Sequence, residues 1–386
     1  MDVQSLREQI PSLRNLTYMN TGWSGPPPRR VADALKARVD LELEQGPTTA
    51  EVYASGRQIQ AQAREAAARL LKATTDEVLI TRNTTEGLNI VLSGLDWKVG
   101  DEIVTCNLEH SSVLAPCQFI GKRYGVKVNV VSLDPHDSAD TIMEKFEAAL
   151  SPNTKLIFVS HIQYSTGLRM PAEALARLAR HRGVYILLDG AQTAGHIRLD
   201  MPEQGFDFYS IPGQKWVLGY EGVGALYIRK ELISQVHPAH TGGRAVVQPV
   251  DPYEFQPSPA TIEKFLGGSG SVPLQAAFLE AVNFIEEIGI GEIEARNLDL
   301  ASRLKPQLAE IPGVDILSPA EPRDSTGLVS FAVAGQSAES VVERLWSNDR
   351  IVVRDVHYPE AVRASLHFFN TEDEVDQLAQ AVGRLG

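Results

Sequence analysis

The sequence of 386 residues has few cysteines, no excess of positive charge and no long apolar run. Its two cysteines cannot form a disulfide framework or a cysteine-rich metal site. A formal net charge of −13 argues against a nucleic acid or an anionic membrane as partner, because both bind clustered Lys and Arg. No segment approaches the roughly 18 apolar residues of a membrane helix, and the N-terminus lacks the pattern of a secretory signal. These absences predict a soluble, cytoplasmic protein.

Motifs for nucleotides, metals and a serine nucleophile are also missing. The chain has neither G-x-x-x-x-G-K-[ST] nor G-x-G-x-x-G, so an ATP or dinucleotide site lacks support. The segment GGSGS misses the nucleophile-elbow pattern G-x-S-x-G at its last residue. His161, His181, His196 and His367 have no partner at metal-ligand spacing. We therefore expect structural roles for these histidines and no metal site.

Short apolar runs alternate with helical patterns through the first two-thirds of the chain. Five runs predict strands, several of them apolar on both faces: residues 77–81, 102–106, 127–133, 155–162 and 184–190. Such strands suit a mainly parallel sheet covered by helices, hence an α/β fold. The Pro- and Gly-rich residues 235–275 predict a long irregular segment over a site. We expect a large α/β domain at 21–250 and a smaller α+β domain from 1–20 and 251–386.

Polar residues follow several of the predicted strands. Asp189 ends one strand and is followed by Gln192, and His110 comes just after another. Thr84 and Thr85 open a helix after a third strand, where hydroxyls and free backbone N–H groups can hold a phosphate. Ligands of open α/β sheets bind at the carboxyl ends of the strands. These side chains are therefore expected in one cleft.

Lys215 lies among glycines and aromatic residues in FYSIPGQKWVLGYEGVGALYI. A strongly hydrated amine is not expected in such a segment unless it has a chemical function. A lysine with a phosphate cradle, a buried acid and an imidazole matches the needs of pyridoxal 5'-phosphate. The amine can bind the cofactor aldehyde and later act as a base, since burial lowers a lysine pKa by up to roughly 3–5 units. An aspartate keeps the pyridine nitrogen protonated, so that the ring accepts electrons.

Five motifs in order carry a family resemblance: NTTEGLN, EHSS, LLDGAQTAG, GQKWVLGYEGVGALYI and VRASLHFFNTEDEVDQL. They resemble the class V aminotransferase family of fold-type I pyridoxal phosphate enzymes, over nearly the whole chain. This family includes cysteine desulfurases, cysteine/cystine C–S lyases and isopenicillin N epimerase. The resemblance implies a mainly parallel sheet of the seven-stranded type in the large domain. It also implies a homodimer with the site at the subunit interface.

The resemblance assigns a role to each candidate residue. Lys215 would bind the cofactor covalently, Asp189 would contact the pyridine nitrogen, Gln192 the ring hydroxyl, and His110 the ring face. Thr84, Thr85 and the partner's Ser269 would bind the phosphate. Gln214 stands where the family usually has His, and it can still donate a hydrogen bond to the cofactor. For the substrate, Arg363 would grip the α-carboxylate with Arg354 as a second arginine, and Tyr164 and Trp23 would shape the pocket. A guanidinium fork fits a carboxylate bidentately, which explains the use of arginine.

The departures from the family pattern bear on the reaction. Desulfurases carry a catalytic cysteine on a loop after the equivalent of Arg354, whereas this chain is short there and has none. Cys106 and Cys117 belong to a strand and a helix, so a persulfide-forming thiolate is not expected. Pro212 stands where the family usually has Ser or Thr, and a proline offers the phosphate neither a hydroxyl nor an N–H. Tyr164 stands in place of a family asparagine.

These features predict a pyridoxal phosphate-dependent lyase for a small amino acid. The expected reaction is C–S β-elimination from cystine, cysteine or an S-substituted cysteine, without a catalytic cysteine. Transamination, epimerisation, cyclisation and oxidative decarboxylation remain alternatives, because all begin from the same cofactor–substrate complex. The alternative that is not an enzyme is an α/β binding protein without catalytic activity, which the unusual Pro212 would indicate.

Overall fold

The computed structural model describes residues 1–258 and 261–385. Its strands are β1 Thr17–Tyr18, β2 Val78–Thr81, β3 Glu102–Cys106, β4 Lys127–Val131, β5 Thr154–Ser160, β6 Tyr185–Asp189, β7 Phe208–Pro212, β8 Gly224–Ile228, β9 Val314–Ile316, β10 Leu328–Val333, β11 Ile351–Val352, β12 Arg354–His357 and β13 Glu360–Ser365.

The α-helices are α1 Val3–Glu8, α2 Arg29–Gln45, α3 Ala50–Leu71, α4 Thr84–Gly94, α5 Ser111–Tyr124, α6 Ala139–Ala149, α7 Ala172–Arg182, α8 Met201–Gln204, α9 Val272–Ile288, α10 Ile290–Ala309, α11 Ala338–Asp349 and α12 Glu372–Gly383. Short 3₁₀ turns lie at Pro11–Arg14, Thr75–Glu77, Lys230–Gln235, Ile262–Phe265 and Pro322–Asp324. No helix in the described chain has the length and apolar character needed to cross a bilayer.

The large sheet has seven strands in the order β2-β8-β7-β6-β5-β3-β4. Strands β7, β6, β5, β3 and β4 pair in parallel, and only β8 runs against its neighbours β2 and β7. This arrangement confirms the predicted α/β fold with a mainly parallel sheet. The five predicted strands are present with ends within two residues of those expected, and β7 is an additional buried strand.

Helices cover both faces of this sheet because its central strands are apolar on both sides. On β5, Ile157 and Val159 face a core shared with α3, α6, α7 and α9. The alternate residues Leu156 and Phe158 face a second core shared with α4 and α5. The two-residue side-chain period of a strand produces this division. Burial on both sides makes the sheet a rigid support for the loops at its carboxyl edge.

The smaller sheet is antiparallel, in the order β12-β13-β10-β9. Helices α10, α11 and α12 cover it around a core that includes Leu300, Phe331, Val341 and Leu378. Strand β1 pairs in parallel with β11 at the edge of this unit. An α+β unit thus occupies the C-terminal part, as expected, while the exact boundaries 21–250, 1–20 and 251–386 stay a prediction. Helix α9 packs on α2 and α3, which favours a boundary later than 250.

Candidate active site

The carboxyl edge of the large sheet brings most of the predicted site residues together. Asp189 and Ser160 end the parallel strands β6 and β5 and are direct partners in register. His110 follows β3 and begins helix α5, and Thr84 begins helix α4 after β2. Parallel strands present their carboxyl ends at one edge, so the order of the strands places these side chains side by side.

Lys215 lies just after β7, which ends at Pro212 next to β6. The side chain is half-buried. Desolvation lowers the pKa of Lys215 to about 8 from an ordinary value of 10.5. The carboxylate of Asp189 opposes this shift, and the cations Arg363 and Arg354 add to it. A large share of the amine is therefore neutral near pH 8, as a nucleophile or base requires.

Asp189 is almost fully buried at the end of β6. Its Oδ1 accepts a hydrogen bond from the backbone N–H of Ala191 at 2.8 Å. Burial raises the pKa of Asp189 above its ordinary value, and the positive charge of Lys215 partly opposes this rise. A buried carboxylate with a free oxygen and a cationic neighbour suits a bond to a protonated ring nitrogen.

His110 is both a helix cap and a site residue. Its Nδ1 accepts from the backbone N–H of Ser112 at 3.1 Å and lies 3.0 Å from the hydroxyl of the same residue. Its ring makes an edge contact with the Tyr164 ring, with 4.8 Å between centroids. Desolvation lowers the pKa of His110 to about 4, helped by Lys215 and the two arginines. The imidazole is therefore neutral above about pH 5 and suited to lie against an aromatic ring.

The first turn of α4 has free donors and an unpaired hydroxyl. Thr84 Oγ1 is buried without a hydrogen-bond partner in the described structure. Thr85 Oγ1 donates to Ser112 Oγ at 3.0 Å, which joins the starts of α4 and α5. Asn83 caps the helix through the backbone N–H of Glu86 at 2.9 Å. Because helix N-termini attract anions, this turn fits a phosphate.

The two glutamines predicted at the site differ in their hydrogen bonding. Gln192 is buried, and its Oε1 accepts from Trp216 Nε1 at 2.8 Å while its Nε2 donates to the Gly22 carbonyl at 2.9 Å. The Oε1 atom of Gln214 is buried and has no partner within the described residues. Pro212 is buried in β7 opposite Gly224, so the hydroxyl usual in the family is replaced by a ring that packs in the sheet.

Arg363 is a buried cation without an acidic partner among the residues described. It is 0% exposed, its Nη1 donates to the Tyr164 carbonyl at 2.8 Å, and its Nε and Nη2 have no partner. Desolvation and the nearby Arg354 lower the pKa of Arg363 to about 9. Burying a charge is costly unless a counter-ion pairs with it. Its two free donors are therefore placed to bind a carboxylate bidentately.

Arg354 lies directly opposite Arg363 on the neighbouring strand β12. Its guanidinium lies over the ring of Trp23, 4.3 Å from the centroid. Trp23 is 53% exposed, so this pair forms the outer wall of the site while Arg363 and Tyr164 form the inner one. The structure thus brings both predicted arginines and both predicted aromatic residues to one place.

Several residues near Arg363 were not predicted from the sequence. A side chain at Gly22 would come within 3.0 Å of Arg363 Nη2 and within 2.8 Å of Ser365 Oγ. Asn20 Oδ1, Thr21 Oγ1 and Ser365 Oγ are buried without partners in the described chain. The only signal in the sequence was the segment MNTGWSGPPP around Trp23. These unpaired polar atoms fit a polar ligand beside the arginine.

Glu109 is a buried acid beneath the site that received no role from the sequence. Its oxygens accept from Ser160 N at 2.8 Å, Ser160 Oγ at 2.5 Å and Gln163 Nε2 at 2.7 Å. Desolvation raises the pKa of Glu109 to about 7, against the effect of these donors. It joins the segment before His110 to the segment before Tyr164.

Ser269 lies apart from this group of residues, and the two cysteines are buried and unreactive. Ser269 is exposed in the segment before α9, and its expected role depends on a partner subunit, so that role stays a prediction. Cys106 and Cys117 are fully buried, and burial raises the pKa of both thiols. A buried protonated thiol is a poor nucleophile.

The residues present fit pyridoxal 5'-phosphate. A lysine with a lowered pKa, a buried aspartate, a neutral histidine and a helix N-terminus with an unpaired hydroxyl lie at one sheet edge. Each matches one part of the cofactor: aldehyde, pyridine nitrogen, ring face and phosphate. The free donors of Arg363 match a substrate carboxylate.

The chain belongs to the aminotransferase class-V family, whose pattern it matches over residues 26–378. It is 30% identical over 406 residues to a probable cysteine desulfurase of Mycolicibacterium paratuberculosis, covering 100% of this chain and 58% of that protein. It therefore spans little more than half the length of that relative. It is also 30% identical to isopenicillin N epimerase of Streptomyces clavuligerus, covering 95% of this chain and 94% of the relative.

Solved structures of the protein C-DES share the fold. One is a variant with glycine covalently linked to the pyridoxal phosphate cofactor, with a TM-score of 0.90, 29% identity and coverage of 98% and 99% of the two chains. Another is described as the cystine C–S lyase C-DES with its reaction product, cysteine persulfide, with a TM-score of 0.90, 29% identity and coverage of 97% and 99%. The predicted family and the predicted fold type are confirmed.

Proposed function

We propose that this protein is a pyridoxal phosphate-dependent lyase that eliminates sulfur from cystine or an S-substituted cysteine without a catalytic cysteine. The observation that carries the proposal is the combination of residues that fit the cofactor and a substrate carboxylate with two buried, protonated thiols. The relatives support the reaction class, since they include cysteine desulfurases and a cystine C–S lyase.

Each residue has a stated task in this reaction. Lys215 would hold the cofactor through its amine, and its free Nζ would take the proton from the substrate Cα. Asp189 would face the pyridine nitrogen, His110 would cover the ring face, and Thr84 and Thr85 would hold the phosphate. When bound, pyridoxal phosphate supplies the electron sink that stabilises negative charge at the substrate Cα.

Arg363 orients the substrate, and Arg354 lies at the outer side of the substrate site. The carboxylate of the amino acid pairs with the free Nε and Nη2 of Arg363, which fixes the Cα–H bond relative to Lys215. Trp23 and Tyr164 enclose the substituent on Cβ and limit the entry of water. With cystine and one water, the balanced products are pyruvate, ammonia and cysteine persulfide.

The experiment is a product assay on purified enzyme with cystine, cysteine and S-substituted cysteines. We expect pyruvate and thiol or persulfide in equal amounts. Amino-group transfer to a keto acid would contradict the proposal. Racemisation without elimination would also contradict it, and this is the strongest alternative reaction because one relative is an epimerase. A protein that does not bind pyridoxal phosphate would favour the inactive binding protein.

We also propose a homodimer in which the partner's Ser269 completes the phosphate site. In the single chain Ser269 is exposed and thus available to a second subunit. Light scattering should give twice the mass of 42.2 kDa, and Ser269→Ala should weaken cofactor binding. A monomer with full activity would contradict this part. The cytoplasmic location expected from the composition stays a prediction.

A further inference from the structure

Trp216, the neighbour of Lys215, is held by three buried groups from distant parts of the chain. The His196 ring stacks face to face on its indole, with 3.6 Å between centroids and 12° between planes. The indole N–H donates to Gln192 Oε1 at 2.8 Å. Its backbone carbonyl accepts from His367 Nε2 at 3.1 Å. These contacts therefore fix the ring plane, the indole N–H and the backbone carbonyl of the residue that follows the lysine.

His196 uses both ring nitrogens as a neutral imidazole. Its Nδ1 lies 2.8 Å from the Gln192 carbonyl oxygen, which can only accept, so Nδ1 carries the proton. Its Nε2 accepts from the backbone N–H of Gly327 at 2.9 Å. Burial lowers the pKa of His196 to about 3, so this arrangement persists throughout the physiological range.

Two glycines permit the close approach of these groups. A side chain at Gly195 would come within 2.3 Å of the Trp216 carbonyl, and this glycine has a φ of +82°. A side chain at Gly327, just before β10, would come within 3.0 Å of His196 Nε2 and 2.5 Å of the Leu366 carbonyl. The backbone of the smaller sheet, the imidazole and the indole thus form one stack that ends beside Lys215.

We propose that His196 is a positioning residue that holds the lysine-bearing segment through Trp216 and Gln192. This inference rests on the proposed function of Lys215 and deepens it, because His196 acts through Trp216 rather than on the reacting atoms. The stack keeps the Lys215 amine in its partly desolvated place, near Asp189, His110, Arg354 and Arg363. Loosening the segment admits water to the amine and returns its pKa towards the ordinary 10.5.

The test measures how pH affects attachment of pyridoxal phosphate to Lys215 in the full-length protein, trapped by cyanoborohydride and quantified by peptide mass spectrometry. His196→Phe keeps the ring stack and removes both imidazole hydrogen bonds, and Trp216→Phe removes the indole N–H. His181→Phe, at an exposed position on α7, is the matched control. We expect a midpoint near pH 8 for wild type and control and a higher one for both test variants. A rise of one pH unit lowers the attachment rate at pH 7 about tenfold.

An unchanged midpoint in a folded test variant would overturn the proposal, even if that variant melted at a lower temperature. A purely structural role lowers the melting temperature but leaves the environment of the amine as it was. Should His196→Phe fail to fold, Trp216→Phe decides the matter by itself under the same criterion. If wild type attaches no cofactor at Lys215, the proposed function fails, whereas normal attachment with unshifted variants contradicts only the role of His196.

Discussion

Replacing Arg363 by Met should raise the free energy of unfolding of the protein and lower its catalytic activity. The lowering of the Arg363 pKa from 12.5 to about 9 corresponds to about 5 kcal/mol of unfavourable free energy for the buried charge. Loss of the charged hydrogen bond to the Tyr164 carbonyl offsets about 1.5–3 kcal/mol of the gain. We therefore expect Arg363→Met to raise the free energy of unfolding by about 2–3 kcal/mol.

The assay is urea unfolding of the cofactor-free protein at several pH values. The folded pKa of Arg363 lies below the unfolded value, so its charge destabilises the fold fully below about pH 9 and progressively less as pH rises towards 12.5. The gain should thus be constant between about pH 6 and 8 and shrink above 9. Arg354→Met, on the neighbouring half-exposed strand, is the control and should change stability by about 0.5 kcal/mol or less.

Activity should move in the opposite direction. Losing one partner of a buried, hydrogen-bonded charge pair costs about 2–5 kcal/mol, which lowers kcat/KM about 30- to 5000-fold. An Arg363→Met protein that is less stable than wild type would refute the reasoning, because the charge would then be satisfied within the fold rather than reserved for a substrate.

Three further predictions concern the other site residues. Asp189→Asn should lower turnover at least about 100-fold, because the negative charge is lost, yet leave circular dichroism unchanged, because the amide oxygen can still accept from Ala191. Near-normal turnover in this variant would count against the pyridine contact. Cys106→Ala with Cys117→Ala should keep turnover within a few-fold of wild type, and a strong loss with intact fold would reopen a desulfurase mechanism. The pH–rate profile should contain no step near 6.5 that arises from His110, since the pKa of His110 is about 4; a step near 6.5 that disappears in His110→Phe would contradict this.

The sequence was sufficient for the central strands β3, β5 and β6 of the large sheet because these strands are buried on both faces. Runs such as 184–190 are apolar up to Asp189 and Gly190, so their limits could be predicted. Strand β7 was missed because Phe208–Pro212 runs directly into the lysine segment and ends at a proline. A proline next to a strand end weakens the expectation of a strand there.

The site could be predicted in part because its main residues follow strands directly. Asp189, His110 and Thr84 come from three segments, and sheet topology alone brings them together. The contacts of Glu109 and the stack of His196 on Trp216 could not be predicted, since they join segments 20 to 130 residues apart whose packing the local pattern does not encode. His196 was expected to be structural, and only its contacts relate it to the lysine.

The most direct test of the account is to measure alanine and pyruvate together with the intact mass of the enzyme during turnover of cysteine or cystine. β-Elimination without an enzyme thiol predicts pyruvate in equal amount to released sulfur species, no alanine, and a chain mass without added sulfur. Alanine as the main product, with persulfide found on Cys106 or Cys117, would contradict the central claim.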